Sequence, residues 1–224
     1  MTYQVIASYR TGSSLLNMYC INDNDGFGFH EFFLGSYDMN SSWHKRLFLF
    51  CSVEEKLEFL EYYKSKDIHF SWKFFPAQVL IDNPELEYRI IEYFQGYKNL
   101  TIVRDPWESF LSLSYQSYTE WKTSHNYNGD VYDIDQYEID LNKIPHLVKS
   151  WKTNKDFLSK IDIHHCFDYK DLTINNLQKY FNTQSFNPGW KPMGLDYSSK
   201  ATNLKEAKEL FDYEMHGTRN GNNN

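Results

Sequence analysis

Short apolar runs alternate with amphipathic stretches along most of this chain. Residues 3–8 form the first apolar run, the polar segment 9–14 interrupts it, and apolar residues return from Leu15 to Ile21. This order predicts a strand, a tight turn and a helix. Further along, Ser52-Val53-Glu54-Glu55 has the form of a capping box, which predicts a helix over residues 52–65.

The alternation of strand-like and helix-like segments continues. We predict an aromatic strand over 68–75, a helix opened by Asn83-Pro84, and a short buried strand over 100–103 that ends at Arg104. The remaining pattern predicts helices over 107–115, 141–161, 174–181 and 203–214, a strand over 163–169 and a polar loop or lid over 124–140. This order is typical of an α/β fold, here a three-layer sandwich with a central, mostly parallel sheet and helices on both faces.

The length of the chain predicts one folded domain. A chain of 224 residues fits a single hydrophobic core, and we expect the domain to cover residues 1–216. Residues 217–224 have nothing to bury and are expected to be disordered. Because the first residues lack a signal-peptide pattern and no apolar run approaches about 18 residues, we expect a cytoplasmic protein without a membrane partner.

Charge and cysteine usage narrow the classes of partner. The formal net charge of −7 at pH 7 argues against a nucleic-acid partner, since affinity for a phosphate backbone comes from pooled lysine and arginine. A small anion is compatible with this charge, because a pocket needs only a few well-placed cations and backbone N–H groups. The widely spaced Cys20, Cys51 and Cys166 suggest neither a disulfide framework nor a zinc site. The sequence is also compatible with a homodimer.

The turn after the first predicted strand carries the first candidate chemistry. In open α/β sheets, ligands bind beyond the carboxyl ends of strands, where loops lead into helix N-termini. Gly12 would let the backbone approach an anion, the amides of Ser13, Ser14 and Leu15 can point into the turn, and Arg10 adds a full positive charge. The turn lacks the GxxxxGK[ST] spacing of ATP and GTP enzymes. It predicts a P-loop-like strand-loop-helix, with an ordinary turn as the alternative.

A second candidate cluster follows the predicted strand over 100–103. Arg104 lies at the strand end and Ser112 lies about two turns into the next helix. Together they could hold a phosphate through bidentate, charge-assisted bonds and a hydroxyl. A structural ion pair between Arg104 and Asp105 is the alternative. Two anion sites on neighbouring strand ends suit a nucleotide with phosphates at both ends of its ribose.

These two segments resemble the nucleotide sites of sulfotransferases that use 3′-phosphoadenosine 5′-phosphosulfate (PAPS). Tyr9-Arg10-Thr11-Gly12-Ser13-Ser14-Leu15-Leu16 is similar to the 5′-phosphosulfate loop of that family. Val103-Arg104-Asp105-Pro106 through Ser112 is similar to its 3′-phosphate site, whose arginine and serine are also eight positions apart. The resemblance implies a sulfotransferase or nucleoside-kinase-like fold, PAPS as co-substrate, 3′,5′-adenosine bisphosphate as product and no metal.

The similarity is closest to the bacterial carbohydrate sulfotransferases that act on trehalose. Those proteins have a Glu-Phe-Phe segment 21 residues after the loop arginine, with the glutamate as catalytic base, and Glu31-Phe32-Phe33 lies at that distance from Arg10. Their Lys-x-x-x-x-Gln strand end matches Lys73 to Gln78. Tyr169-Lys170-Asp171-Leu172 is similar to their Tyr-Glu-Asp-Leu segment near the adenine, with Lys170 in place of the acid. The rest of the C-terminal third is not matched.

The resemblance implies transfer of a sulfuryl group to a hydroxyl of a carbohydrate or other small metabolite. Glu31 would take the acceptor's proton, and Arg10 with Lys73 would balance the charge on the departing phosphate. Lys73 has a second interpretation, a strand-end lysine that extends to water. His30 and His69 are alternative bases, because imidazole titrates near neutrality.

Two other functions remain open at this point. A nucleotide-dependent phosphotransferase shares a strand-loop-helix anion site but needs a metal ion. A binding protein could retain the nucleotide fold without catalysis.

Overall fold

The computed structural model describes residues 2–26, 28–31, 33, 51–123, 135–188 and 196–217, and for residues 30, 31 and 119–123 it describes the backbone only. The strands in this part of the chain are Tyr3–Ile6 (β1), Gly28–Glu31 (β2), Ser71–Phe74 (β3), Lys98–Val103 (β4) and His165–Asp168 (β5). The α-helices there are Ser13–Asp23 (α1), Val53–Ser65 (α2), Ala77–Leu80 (α3), Glu87–Phe94 (α4), Pro106–Thr123 (α5), Ile144–Leu158 (α6), Ile174–Tyr180 (α7) and Leu204–His216 (α8).

The five strands form one parallel sheet in the order β2-β3-β1-β4-β5. Val5 in β1 pairs with Lys73 on one side and with Leu100 on the other. The predicted α/β class with a central parallel sheet is therefore confirmed.

Helices cover both faces of this sheet. Successive strand residues point to opposite faces, so Ile6, Trp72 and Phe74 join one buried cluster while Val5 and Ala7 join another. The first cluster contains residues of α2 and α4, and the second contains residues of α1 and α7. A sheet buried on both faces needs strands that are apolar at nearly every position, which explains the continuous apolar runs in the sequence.

The sequence signals for helix starts are found where they were predicted. Ser52 Oγ accepts from the amide of Glu55 at 3.1 Å, and the amide of Ser52 donates to Glu55 Oε2 at 2.6 Å. This reciprocal pair is the predicted capping box, and α2 follows it. Pro84 opens a 3₁₀ turn, Pro84–Leu86, which leads directly into α4.

The chain divides into two compact units that alternate along the sequence. The first unit comprises Met1–Arg104 with Lys152–Trp190 and contains the sheet. The second comprises Asp105–Trp151 with Lys191–Asn224, and a buried cluster that includes Phe110, Tyr137 and Phe211 forms its core. The single domain expected from the length stays a prediction.

Two further predictions fall largely outside the described residues. Residues 124–134 of the predicted loop or lid are among those that the structure does not describe. Of the predicted tail, only Gly217 is described, and it ends α8 in a left-handed conformation with φ of 71°. In the described part of the chain, no helix has both the length and the apolar character needed to cross a membrane.

Candidate functional site

The strand order reverses between β1 and β4. The chain runs from β1 through α1 to β2 on one side of the sheet, whereas it runs from β4 to β5 on the other side. Ligands of open α/β proteins bind beyond the carboxyl ends of the strands at such a position. Arg10 follows β1 and Arg104 follows β4, so both candidate arginines of the first unit lie at the point where the order reverses.

The loop between β1 and α1 has an unusual backbone. Arg10 and Gly12 both adopt positive φ angles, 57° and 78°. For a residue other than glycine this conformation costs about 1–2 kcal/mol, and it persists only where its surroundings enforce it. The hydroxyl of Thr11 donates to the carbonyl of Ser8 at 2.9 Å, which closes the loop on itself.

The first turn of α1 offers fewer amides to a ligand than the sequence suggests. The amide of Leu15 donates to the carbonyl of Gly12 at 3.0 Å, so it is engaged within the turn. The amides of Ser13 and Ser14 precede the first intrahelical donor of the helix. These two amides and the helix dipole therefore make up the backbone part of the candidate anion site.

Gly12 lies against the segment that follows β5. A Cβ atom at this position would lie 2.5 Å from Leu172 Cδ2 and 3.4 Å from the ring of Tyr169. The first distance is far below van der Waals contact, so only glycine fits here without displacing Leu172. The sequence predicted a close approach at Gly12 toward an anion, and the structure shows a close approach to the protein's own side chains.

We expect Gly12→Ala to destabilise the protein more than Gly96→Ala does. Both residues have positive φ, 78° and 85°, but a Cβ at Gly96 meets no described atom within 4 Å. Both variants incur the left-handed backbone cost of about 1–2 kcal/mol, and Gly12→Ala adds about 1–3 kcal/mol for the clash with Leu172. Urea unfolding of the two variants measures the difference. Equal losses in the two variants would show that the contact with Leu172 relaxes without cost.

Arg104 connects the loops that follow three strands. Its Nη1 donates to the carbonyl of Arg10 at 2.6 Å, and its guanidinium carbon lies 4.1 Å from the centroid of the Tyr169 ring. Tyr169 begins a 3₁₀ turn directly after β5. The bond to Arg10 helps to explain why this residue keeps its left-handed backbone. Ser112, the predicted partner of Arg104, lies in α5 of the second unit and is 2% exposed.

Lys73 reaches the same loop from the neighbouring strand. It lies near the end of β3, is 4% exposed, and its Nζ donates to Ser14 Oγ at 2.9 Å. The ammonium also lies 5.0 Å from the centroid of the Phe75 ring, on which Tyr9 stacks. Lys73 therefore does not extend into water. Its charge lies beside the first turn of α1.

Glu31 is the last residue of β2, a strand that we did not predict. It pairs with Lys73 across an irregularity in the strand register that begins after Phe29. The backbone of Glu31 thus lies at the carboxyl end of its strand, beside the carboxyl end of β3. The side chains of Glu31 and His30 lie outside the described part of the chain, as does Phe32.

His69 lies at the end of the sheet where β3 begins, opposite the carboxyl ends of the strands. It precedes β3, four residues before Lys73, which corresponds to about 13 Å along an extended strand. Its Nδ1 and Nε2 lie 3.1 Å from the hydroxyl of Tyr97 and 2.9 Å from a carboxylate oxygen of Asp67. Burial raises the pKa of Tyr97, which keeps this hydroxyl protonated. Because His69 precedes β3 and lies four residues before Lys73, this alternative base is distant from the candidate anion site.

Sequence reasoning missed two residues beside the loop, Leu172 and Asn154. Leu172 belongs to a segment that we interpreted only as similar to an adenine-binding one. Asn154 is fully buried in α6 and contacts Ser8. In the sequence, Asn154 occupies a position between Trp151 and Leu158 on the apolar face of that helix. A polar residue on an apolar helix face is a signal that could have identified it.

No family model, curated protein or solved structure matches the chain.

Proposed function

We propose that this chain is a PAPS-dependent sulfotransferase that transfers a sulfuryl group from PAPS to an acceptor hydroxyl. The observation that carries the proposal is that Lys73 Nζ and Arg104 Nη1 donate to Ser14 Oγ and to the carbonyl of Arg10, in the segment that leads into and begins α1. Two cations beside a helix N-terminus, with Arg10 in the loop itself, suit a small ligand with several negative charges. The resemblance of the two motifs to sulfotransferases supplies the identity of that ligand.

The residues of the candidate site fit the chemical groups of PAPS. Arg10, Lys73 and the amides of Ser13 and Ser14 would hold the 5′-phosphosulfate end through charge-assisted bonds. Arg104 would hold the 3′-phosphate, and the ring of Tyr169 would provide an aromatic surface for the nucleoside.

The proposed reaction is an in-line displacement at sulfur. A bond forms between the acceptor oxygen and sulfur while the bond from sulfur to the phosphate oxygen breaks, and the electron pair leaves with 3′,5′-adenosine bisphosphate. Glu31 would receive the acceptor's proton. Arg10 and Lys73 would stabilise the negative charge that develops on the departing phosphate. Positioning and charge stabilisation supply most of the rate in the related phosphoryl transfers.

The proposal includes a small-molecule acceptor and a cytoplasmic location. A carbohydrate acceptor follows from the resemblance to the trehalose-type enzymes alone. Cys20, Cys51 and Cys166 are widely spaced in the sequence and suggest no disulfide framework, which favours a reducing compartment.

A binding experiment tests the nucleotide part of the proposal. We expect calorimetry with EDTA present to show binding of 3′,5′-adenosine bisphosphate, and weaker binding of 5′-AMP, which lacks the 3′-phosphate. A preference for ATP that depends on magnesium would replace the proposal with a phosphotransferase.

A transfer experiment tests the catalytic part. Metabolite extracts incubated with the protein and PAPS should contain a compound that has gained the mass of one sulfuryl group, as detected by mass spectrometry. If the protein binds the bisphosphate but transfers nothing in extracts, it is a binding protein rather than an enzyme.

A further inference from the structure

The structure assigns a positioning role to Asn154: its buried amide fixes the loop over residues 8–12 relative to the end of β3, and so sets where Lys73 lies relative to the anion site. This inference rests on the proposed function, because it concerns the geometry of the same site. Asn154 belongs to the part of α6 that lies in the first unit.

Two hydrogen bonds define this role. Asn154 Oδ1 accepts from the amide of Ala77 at 2.8 Å, and Asn154 Nδ2 donates to Ser8 Oγ at 3.3 Å. The backbone amide of Ala77 can only donate, so the orientation of the Asn154 amide is fixed. The Asn154 side chain therefore joins Ser8, at the start of the loop after β1, to Ala77, the first residue of α3.

Both partners lie close to the charged groups of the site. Ala77 is four residues after Lys73, and Ser8 is two residues before Arg10. The carbonyl of Ser8 also accepts from Thr11 Oγ1 at 2.9 Å, so Ser8 is held from two directions. A shift at Ser8 would therefore be passed to Arg10 and Gly12, which have the left-handed backbone conformations.

The burial of Asn154 indicates that its side chain is held in place by its hydrogen bonds to Ser8 and Ala77. Its side chain has no solvent exposure, and a buried amide is destabilising unless its polar atoms are paired. An apolar residue at this position would pack against the core without such a requirement. The amide instead pairs with two loops whose spacing matters for the proposed site, because a displacement of about 1 Å in a catalytic group can cost ~10²-fold in rate.

A matched pair of variants tests the inference. Asn99 is also a buried amide, 3% exposed, and its Nδ2 donates to the carbonyls of Phe94 and Asp162 at 3.2 and 3.0 Å. It lies near the start of β4, at the opposite end of the sheet from the anion site. Asn154→Ala and Asn99→Ala each remove one buried amide, so a general loss of stability should affect the two variants alike.

We expect the two variants to differ in two measurements. In the protein without ligand, amide hydrogen exchange over residues 8–16 should be faster in Asn154→Ala and unchanged in Asn99→Ala. In calorimetry, Asn154→Ala should bind 3′,5′-adenosine bisphosphate roughly fivefold or more weakly than the wild type, in keeping with one lost hydrogen bond in a site of this kind, while Asn99→Ala should bind as the wild type does.

The outcomes separate this inference from the proposed function. If the wild type does not bind the bisphosphate, the proposed function fails, and the hydrogen-exchange comparison still decides the role of Asn154. If the wild type binds and both variants show equal exchange and equal affinity, Asn154 has no positioning role. Should Asn154→Ala fail to fold, Ser8→Ala removes the same bond from the other side. It should loosen residues 8–16 in the same way, and unchanged exchange in Ser8→Ala would overturn the inference.

Discussion

Glu31→Gln should reduce sulfuryl transfer by roughly 10²–10⁴-fold while the affinity for nucleotide hardly changes. Glutamine keeps the shape and hydrogen-bonding reach of glutamate but cannot accept the acceptor's proton. A base contributes mainly in the transition state, so its removal lowers kcat and leaves ground-state binding intact. Steady-state kinetics with PAPS and the identified acceptor, together with calorimetry of 3′,5′-adenosine bisphosphate, measures both quantities.

Two histidine variants serve as controls for the Glu31 experiment. His69→Gln should retain full transfer, because His69 lies at the other end of the sheet, where it is paired with Asp67 and Tyr97. His30→Gln tests the remaining alternative base. Near-full turnover in Glu31→Gln combined with a large loss in His30→Gln would identify His30 as the base in place of Glu31. Loss of nucleotide affinity and of stability in Glu31→Gln would instead indicate a structural carboxylate.

Arg104→Ala should weaken binding of PAPS and of 3′,5′-adenosine bisphosphate together, by at least about tenfold. Both ligands carry the same 3′-phosphate, so the loss should not depend on which group occupies the sulfur end. The structure adds a second reason for a large effect, since Arg104 Nη1 also bonds to the carbonyl of Arg10 at 2.6 Å. Its removal should therefore loosen the loop as well as remove a charge.

The controls for Arg104 separate charge from geometry. Arg104→Lys keeps the positive charge but loses the planar group that stacks on Tyr169, so it should recover only part of the lost affinity. Arg89→Ala removes an arginine that forms a bidentate pair with Glu61 at 2.7 and 3.2 Å, and it should bind the bisphosphate as the wild type does. Unchanged bisphosphate affinity in a folded Arg104→Ala protein would exclude Arg104 from the proposed nucleotide site.

The fold could be predicted from the sequence wherever an apolar run was long enough to show a period. The capping box at Ser52 and the apolar run that forms β4 both gave elements that the structure contains. Two short elements were missed. β2 contains only Gly28–Glu31, and α3 contains only Ala77–Leu80. One turn of helix is too short to show the helix period. β2 has no apolar run, because Gly28 and His30 flank Phe29 in the sequence, and partner strands decide whether such a segment pairs.

The candidate site could be predicted only in part, for a physical reason. Arg10, Gly12 and Arg104 follow predicted strands directly, so the rule for ligand positions in α/β sheets was enough to select them. The strand order that brings β4 beside β1 depends on pairings between distant segments and had no local signal. The contacts of Lys73 with Ser14 and of Asn154 with Ser8 join residues 59 and 146 positions apart. Such contacts follow from tertiary packing, which a pattern of neighbouring residues does not encode.

The bond from Arg104 to the carbonyl of Arg10 also has a thermodynamic consequence. The bond and the contact of the guanidinium with the Tyr169 ring join groups of the protein itself, so the protein's own contacts favour the otherwise unfavourable backbone conformation of the loop. Contacts formed on folding thus offset the free-energy cost of this conformation, which is how a preorganised receptor limits the cost of binding. A ligand that meets such a receptor loses little affinity to loop ordering, and its association should be limited by diffusion and desolvation rather than by a slow rearrangement of the protein.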